Sequence, residues 1–394
     1  MKLLQALGIL CAIVLVPPCL CGGQHVSNCT SNSTSEPALC FTTLFQFGAS
    51  LFDTGNAAIA FPRQAFQPTR PPYGSTFPGY PAGRFSDGKL IIDYLADAFK
   101  LEPLYPFLES VEQTNGGGRD YRGGVCFSVA LATALSTEEL RASGILRQNI
   151  TLNPLTSDVQ FRWFQSFRKR VFESGTKSTG KLSALLPKED EMANALYLPG
   201  EFGVNDYRVG LLSGVSVAEL KKKVPLVVLK IVHLIKKLHG VGARNFLVIG
   251  VPPQGCSPFY LTMVNGTKDR FNCLAHVNTI HRLHDKKLKM ALRKLRRELV
   301  DSNIMFADYY GAFMSVLKHP AKYGMKVRNV ACCGGGGEYN YNPRAVCGTE
   351  SSRRCSDPHR HVYWDDFHPT DELNKIIARK FTSGQYVEPL KVSL

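Results

Sequence analysis

The chain has 394 residues, of which 44% are hydrophobic and 20% are charged, a balance typical of a globular protein with a full apolar core. Its formal net charge of +15 at pH 7 would suit nucleic acid, but the basic residues concentrate in helical runs at 221–237 and 286–297 without a nucleic-acid motif. We therefore expect basic helix faces exposed to solvent and no nucleic-acid partner.

Residues 1–23 have the pattern of a secretory signal peptide. Lys2 precedes a largely apolar run over 3–16, which ends at two prolines and is followed by the small residues 21–23. This run is too short to span a bilayer. We therefore expect a cleaved signal, no stable membrane insertion, and a mature protein that is secreted to the extracellular space or the cell wall.

Four N-x-Ser/Thr sequons agree with export. Asn28 and Asn32 define a short glycosylated segment over 24–40, and two more sequons stand at Asn149 and Asn265. Cys29 occupies the middle position of the first sequon, so glycosylation there competes with a disulfide. We expect about two or three of the four asparagines to be used, because sequons also arise by chance.

Nine of the 12 cysteines remain after the signal peptide, a number that also suits an oxidising compartment. Cys29–Cys40 and Cys256–Cys273 are the expected local disulfides, and the odd cysteine, Cys126, lies in an apolar run and is expected to be a buried free thiol. No C-x2-C pairs with a second one, so we expect no metal site. Two further disulfides are expected among the late cysteines at 332, 333, 347 and 355, in an open order.

One domain follows, over residues 41–385, with a short tail at 386–394. Within it, short apolar runs alternate with longer helical patterns, which predicts an α/β fold with a parallel sheet and helices on both faces. The expected strands are 44–47, 125–129, 195–198, 245–250 and 303–307, and the main helices are 216–239 and 271–299.

Chemically useful side chains follow three segments of this pattern. Ser50 lies at a turn after the first strand, Asn205 follows the 195–198 strand, and Asp365 and His368 share a loop before a final helix whose expected N-cap is Thr370. Active sites of parallel sheets form beyond the carboxyl ends of the strands, so we expect these segments to meet.

The spacing of Asp365 and His368 fits a catalytic pair. Three residues apart in a loop, the carboxylate can turn back onto the Nδ1 hydrogen of the imidazole and leave Nε2 to take the proton of a serine. A surface ion pair near a helix start is the competing interpretation, and Asp366 is a competing carboxylate. His359 and His361 lie in an arginine-rich stretch and are expected to face solvent.

Taken in order, the segments 47–51, 203–207 and 365–369 resemble the plant GDSL lipase/esterase family of the SGNH hydrolases. The resemblance covers about residues 41–385, and the chain has no G-x-S-x-G elbow of an ordinary α/β-hydrolase. It implies a flavodoxin-like three-layer α/β/α sandwich with a mostly parallel central sheet. It also implies Ser50 as nucleophile, His368 as base, Asp365 as its partner, and no cofactor. Supporting matches stand at 72–74, 83–88, 242–244, 253–256 and 332–335.

The resemblance assigns the oxyanion to the side chain of Asn205, the N–H of Ser50 and an N–H near the 125–129 strand. Three positions depart from the family pattern, which has aspartate at Ala49, asparagine at Cys126 and glycine at Leu131. Leu131 keeps an N–H, but its side chain is expected to change the backbone or fill the cleft. An offset of one residue would place Ala130 at that position instead, and the loss at Ala49 is expected to loosen the serine loop.

These observations predict a secreted carboxylic-ester hydrolase that works through an acyl-enzyme on small-molecule or cell-wall esters. An acyltransferase with the same triad is one alternative. The other is a catalytically inactive secreted glycoprotein on the hydrolase fold, which the three departures motivate.

Overall fold

The computed structural model describes residues 41–61, 66–77, 82–112, 119–148, 152, 155–176 and 183–389. The signal peptide, the 24–40 segment, Cys29–Cys40 and Asn149 lie outside these residues, so those expectations stay predictions. The strands are β1 Leu44–Phe47, β2 Tyr105–Pro106, β3 Gly124–Cys126, β4 Leu196–Pro199, β5 Asn245–Ile249, β6 Asn303–Ala307, β7 Val327–Ala331, β8 Cys333–Gly334, β9 Arg353–Arg354, β10 His361–Tyr363 and β11 Val387–Glu388.

Twelve α-helices are formed by the described residues. They are α1 Asn56–Ala60, α2 Ile91–Ala98, α3 Phe107–Glu112, α4 Thr137–Ala142, α5 Ser157–Thr176, α6 Glu189–Asn194, α7 Val204–Leu212, α8 Val217–Gly240, α9 Pro258–Met263, α10 Ala275–Glu298, α11 Tyr309–Lys318 and α12 Asp371–Thr382. None of the described helices is long and apolar enough to cross a membrane.

The central sheet has seven strands in the order β11-β6-β5-β4-β1-β3-β2. Six of them are parallel, and β11 at the edge runs antiparallel to β6. Because β11 lies beyond residue 385, the expected end of the domain, the first part of the expected C-terminal tail pairs with the sheet. The chain passes from β1 to β3 on one side and then returns to β4 on the other. The strand order therefore reverses at β1, as in flavodoxin-like folds, where such a reversal opens a crevice at the carboxyl ends.

Side chains of the strands alternate between two apolar layers, because successive residues of a strand point to opposite faces. In β1, Phe45 packs against Phe164 and Phe167 of α5, and the same layer contains α8 and α10. Leu44 instead belongs to the layer that contains α2, α11 and α12. The result is the expected three-layer α/β/α sandwich.

Most predicted elements are confirmed, with small changes in their ends. The strands at 44–47 and 303–307 and the N-cap at Thr370 are as expected. The predicted 125–129 strand is too long, because β3 ends at Cys126 and the chain turns away there. The N–H groups of Phe127 and Val129 still donate to carbonyls of the 46–48 segment of β1 and its following residue.

Candidate active site

The turn that carries Ser50 begins directly after β1. Gly48 has φ of +152°, and a Cβ there would lie 2.6 Å from the carbonyl oxygen of Gly200, so the close approach of the β1 and β4 ends requires glycine. The amide of Gln160 brackets Gly48 by accepting from its N–H at 2.9 Å and donating to its carbonyl at 2.8 Å. Ser50 then opens a short 3₁₀-helix and is buried.

Ser50, His368 and Asp365 form an unbroken hydrogen-bonded chain. The Oγ of Ser50 lies 2.8 Å from Nε2 of His368, and Nδ1 of the same ring lies 2.9 Å from both carboxylate oxygens of Asp365. An ionised carboxylate can only accept, so Nδ1 carries the hydrogen and Nε2 is free to accept from the serine hydroxyl. The arrangement can activate a serine oxygen.

Asp365 is buried, and several donors hold it in the ionised form. The N–H groups of Phe367 and His368 donate to Oδ1 at 2.9 and 2.7 Å, and the hydroxyl of Tyr73 donates to Oδ2 at 2.7 Å. Burial raises the pKa of Asp365, but the imidazole and these backbone hydrogen bonds outweigh burial and bring the pKa below its usual range.

Asp366, the competing carboxylate, has a different environment. Among the described residues its side chain makes no hydrogen bond to His368, while its carbonyl accepts from the N–H of Phe259 at 2.8 Å. Burial and the negative charge of Asp365 raise the pKa of Asp366 to about 7. The structure therefore brings Asp365, and not Asp366, to the imidazole.

The ring of Phe85 packs against the imidazole of His368. The two rings are stacked, with centroids 4.3 Å apart. The neighbouring Arg84 holds this segment in place. Its buried guanidinium pairs with Asp93 at 2.9 Å and donates to the carbonyl of Thr54 at 3.3 Å. The 83–88 segment thus connects the serine loop to the histidine.

Leu131 lies in the left-handed backbone region, with φ of +67°. Glycine adopts this conformation readily, so the leucine retains the backbone geometry of a glycine position at the cost of strain. The N–H of Ala130 donates to Asp53 at 2.8 Å, whereas the N–H of Leu131 has no acceptor among the described residues. One amide hydrogen of Asn205 binds the carbonyl of Ala132 at 2.9 Å, which leaves the other available.

Two buried carboxylates hold the loops around this site. Asp53 accepts from the N–H groups of residues 55–57 and from that of Ala130, and so joins the serine loop to the loop after β3. Asp206 accepts from the N–H groups of residues 134–135 and joins the same loop to α7. Burial raises the pKa of each carboxylate to about 6 although these hydrogen bonds oppose the shift.

Comparison with known proteins identifies the family. A family model for GDSL-like lipase/acylhydrolase matches residues 44–381. The chain belongs to this family. A GDSL esterase/lipase of Arabidopsis thaliana is 35% identical over 365 residues, which cover 91% of this chain and 88% of the relative. The protein is therefore an enzyme that acts on ester bonds.

Two further relatives have more specific names. Acetylajmalan esterase 2 of Rauvolfia serpentina is 33% identical over 352 residues, which cover 89% of this chain and 92% of the relative. Sinapine esterase of Brassica napus is 33% identical over 370 residues, which cover 91% and 89% of the two chains. The similarity therefore extends over nearly the whole length of each relative.

The other two departures from the family pattern lie in buried positions. Ala49 is buried at the start of the serine turn, where Gln160 and Asp53 anchor the neighbouring backbone without help from position 49. Cys126 is a buried free thiol, as expected, and its Sγ donates to the carbonyl of Phe52 at 3.1 Å. Neither position contacts the His368 imidazole through a hydrogen bond in the described part of the chain.

Three disulfides lie in the described part of the chain. Cys256–Cys273 is confirmed, and the four late cysteines pair as Cys332–Cys355 and Cys333–Cys347. The N–H groups of Cys332 and Cys333 donate to the carbonyls of residues 363 and 364 at 3.0 and 2.7 Å. The disulfide-linked segment therefore lies directly against the chain that leads into Asp365.

The expectation that both histidines near 360 face solvent is wrong for one of them. His359 is exposed, but His361 is half buried because it opens β10, which pairs with β7. Its Nδ1 hydrogen donates to the carbonyl of Asp357 at 3.1 Å, and burial lowers its pKa. In the described ranges, His361 also forms the one possible metal-binding group, with Cys332 and Cys355. Those two sulfurs form a disulfide and offer no thiolate.

No role was predicted from the sequence for Tyr73, Phe85, Asp53 or Asp206, although all of these except Asp53 lie in segments that matched the family. Each of the four has at least one partner that is distant along the chain, as in the 292-residue separation of Tyr73 and Asp365. Asn265 lies in an exposed loop, where a sugar can be attached without disturbing the fold.

Proposed function

We propose that the protein is a secreted serine esterase that hydrolyses carboxylic esters through an acyl-enzyme. The observation that carries this proposal is the chain of hydrogen bonds from Ser50 through His368 to Asp365, with lengths of 2.8 and 2.9 Å. Its order of nucleophile, base and orienting carboxylate is the one that acyl transfer requires. Family membership supports the reaction class, and the hydrogen-bond geometry supports the choice of these three residues.

In the first half of the reaction, Oγ of Ser50 attacks the acyl carbon while Nε2 of His368 takes the hydroxyl proton. Asp365 stabilises the imidazolium that forms and keeps its orientation. When the tetrahedral intermediate collapses, the bond from the acyl carbon to the alcohol oxygen breaks. The proton on Nε2 passes to that oxygen, and the alcohol leaves.

In the second half, water replaces the alcohol. Nε2 of His368 takes a proton from the water, whose oxygen attacks the acyl carbon of the ester on Ser50. Collapse breaks the bond to Oγ, which recovers the proton from Nε2, and the carboxylic acid is released. Atoms and charges balance without a metal or an organic cofactor.

The oxyanion formed in each half is held by the N–H groups of Ser50 and Leu131 and by the free amide hydrogen of Asn205. Such donors act strongly because they are already oriented before the charge develops. The left-handed backbone of Leu131 supports this assignment, since it leaves the N–H of that residue without a partner among the described residues. We therefore favour an active enzyme over an inactive glycoprotein.

The substrate proposed for this chain is a small-molecule or cell-wall ester. Two relatives are named acetylajmalan esterase and sinapine esterase, which supports the small-molecule choice. The signal-peptide pattern and three disulfides in the described residues support secretion. Secretion is tested by expressing the full chain in plant cells and mapping the N-terminus of the protein recovered from the medium.

The catalytic assignment is tested by labelling the purified protein with a fluorophosphonate probe, which reacts with activated serines. We expect the wild type to be labelled, and Ser50→Ala and His368→Ala to remain unlabelled although folded by circular dichroism. A folded wild type that resists labelling and hydrolyses no ester would contradict the proposed function. Labelling that persists in Ser50→Ala would place the nucleophile elsewhere.

A further inference from the structure

Arg208 is a cation placed beside the candidate active site. It lies in α7, three residues after Asn205, and residues with this spacing share one face of a helix. Its guanidinium carbon lies 5.1 Å from the ring centroid of Phe367, and that ring lies 5.5 Å from the imidazole of His368. One aromatic ring therefore contacts both the arginine and the proposed base.

Aromatic rings hold the guanidinium without using its hydrogen-bond donors. The guanidinium carbon also lies 4.5 Å from the centroid of Phe259, so that two rings attract the cation through their faces. Among the described residues, the buried Nε of Arg208 has no acceptor, and no carboxylate lies within 4.0 Å of the guanidinium. A half-buried arginine is thus fixed in place with its donors unused.

The carboxyl of Asp366 interacts with this cation but does not neutralise it fully. Asp366 lies close enough for Arg208 to oppose the rise of its pKa, but burial and Asp365 still raise that pKa to about 7. In mildly acidic solution Asp366 is therefore largely protonated, and Arg208 remains the dominant charge of the pair. The hydroxyl of Tyr260 is another buried polar group without a partner in the described ranges. Burial raises the pKa of this tyrosine, and Arg208 opposes the rise.

We propose that Arg208 is a substrate-binding residue that selects esters carrying a carboxylate beyond the reacting carbonyl. The planar guanidinium can donate two parallel hydrogen bonds to a carboxylate, and it is held on a helix that needs no reordering to do so. This inference rests on the proposed function, because it concerns the substrate of the same triad. It adds the class of substrate, an acidic ester, which the family assignment does not provide.

The test compares esters that differ only in charge. On the acyl side, 4-nitrophenyl monoesters of dicarboxylic acids of increasing length are compared with their terminal carboxamides. On the alcohol side, the acetyl ester of 4-hydroxybenzoate is compared with that of 4-hydroxybenzamide. For at least one pair we expect the wild type to favour the acidic ester in kcat/KM by about 10-fold or more, mainly through KM, because the ion pair exists before and during the reaction.

Arg208→Gln should lower this preference ratio about 10-fold, and Arg208→Lys should give an intermediate ratio, because lysine keeps the charge and loses the planar fork. Arg293→Gln, which removes an exposed guanidinium from α10, is the matched control and should keep the wild-type ratio.

Two results would overturn the inference while the esterase assignment stands. One is a fluorophosphonate-labelled wild type that hydrolyses esters without preference for the acidic member of any pair. The other is an Arg208→Gln variant in which both members of a pair lose kcat/KM equally, as expected for a purely structural role. Failure of labelling and of all hydrolysis would instead remove the proposed function itself.

Discussion

The ring of Phe85 lies nearly parallel to the imidazole of His368, with centroids 4.3 Å apart and planes inclined by 25°. Phe85 is itself packed edge-on by Phe66 and Tyr73, at 5.3 and 5.9 Å. Rotation of the imidazole about its side-chain bond would therefore displace a whole group of rings. Because Tyr73 also donates to Asp365, the same group fixes both partners of the serine.

Phe85→Leu should slow the enzyme, because leucine fills most of the volume but gives the imidazole no flat surface. We expect kcat/KM for a simple ester to fall about 10-fold, since small misplacements of a base are costly. The free energy of unfolding should change by only about 1 kcal/mol. Phe172→Leu in α5 removes a ring far from the triad and is the control. Equal kcat/KM in Phe85→Leu and wild type would show that the ring does not orient the base.

Leu131 should tolerate glycine better than valine. At φ of +67° glycine is unstrained, while a β-branched side chain is strongly disfavoured. Leu131→Gly should therefore keep or increase kcat/KM, because the N–H stays in place and the half-exposed side chain is removed. Its free energy of unfolding should change by less than about 1 kcal/mol, since relief of strain offsets the greater freedom of glycine in the unfolded chain.

Leu131→Val should lower kcat about 10-fold or more, because strain at this residue moves the N–H that we propose as an oxyanion donor, and complete loss of such a donor typically costs about 10²–10³ in rate. The measurement is kcat for each variant, together with the rate of fluorophosphonate labelling. If valine and glycine gave the same kcat, the N–H of Leu131 would not contribute to the oxyanion site.

Much of the fold could be predicted from the sequence, but some strands were predictable and others were not. The strands at 44–47 and 303–307 were predictable because each is a short apolar run bounded by polar or glycine residues. Three of the two-residue strands, β2, β8 and β9, have no apolar pattern to detect. The disulfide Cys332–Cys355 joins the residues that flank β8 and β9.

The site divides in the same way. The proximity of Ser50, Asp365 and His368 was predictable from the strand end, the short spacing of the last two and the resemblance to the family. Tyr73 and Phe85 were not, because their roles depend on how loops distant in sequence pack around one imidazole. The left-handed backbone of Leu131 was also unexpected, since leucine itself gives no local signal for this conformation. The only signal was the glycine of the family pattern at this position.

Asp366 should make the protein less stable as the pH rises. Its pKa is raised from 3.8 to about 7, so the folded state binds this proton more tightly than the unfolded state does. The free energy of unfolding therefore contains a contribution that is fully present below the ordinary pKa and is lost as the pH rises through about 7. Asp365, whose pKa is lowered, contributes with the opposite sign.

Asp366→Asn should accordingly have a higher Tm than the wild type near pH 8 and a smaller difference near pH 5, because the amide never ionises. Thermal unfolding across this range measures the effect. Asp357→Asn, which changes a carboxylate at the surface, is the control and should give a curve parallel to that of the wild type. A parallel curve for Asp366→Asn would mean that this carboxyl ionises as readily in the folded state as in the unfolded one.

The disulfide Cys333–Cys347 should support catalysis as well as stability. The N–H of Cys333 donates to the carbonyl of Trp364 at 2.7 Å, one residue before Asp365, whereas neither cysteine of Cys256–Cys273 bonds to residues 361–368 within the described chain. The two disulfides close loops of similar size, with sequence separations of 14 and 17 residues.

Removal of either pair by alanine should therefore lower the free energy of unfolding by about 3 kcal/mol. Only removal of Cys333–Cys347 should also lower kcat, by about 10-fold, when both variants are assayed well below their Tm, because it loosens the chain that positions Asp365. An equal effect of the two double variants on kcat would mean that the cross-link near Trp364 acts on overall stability alone.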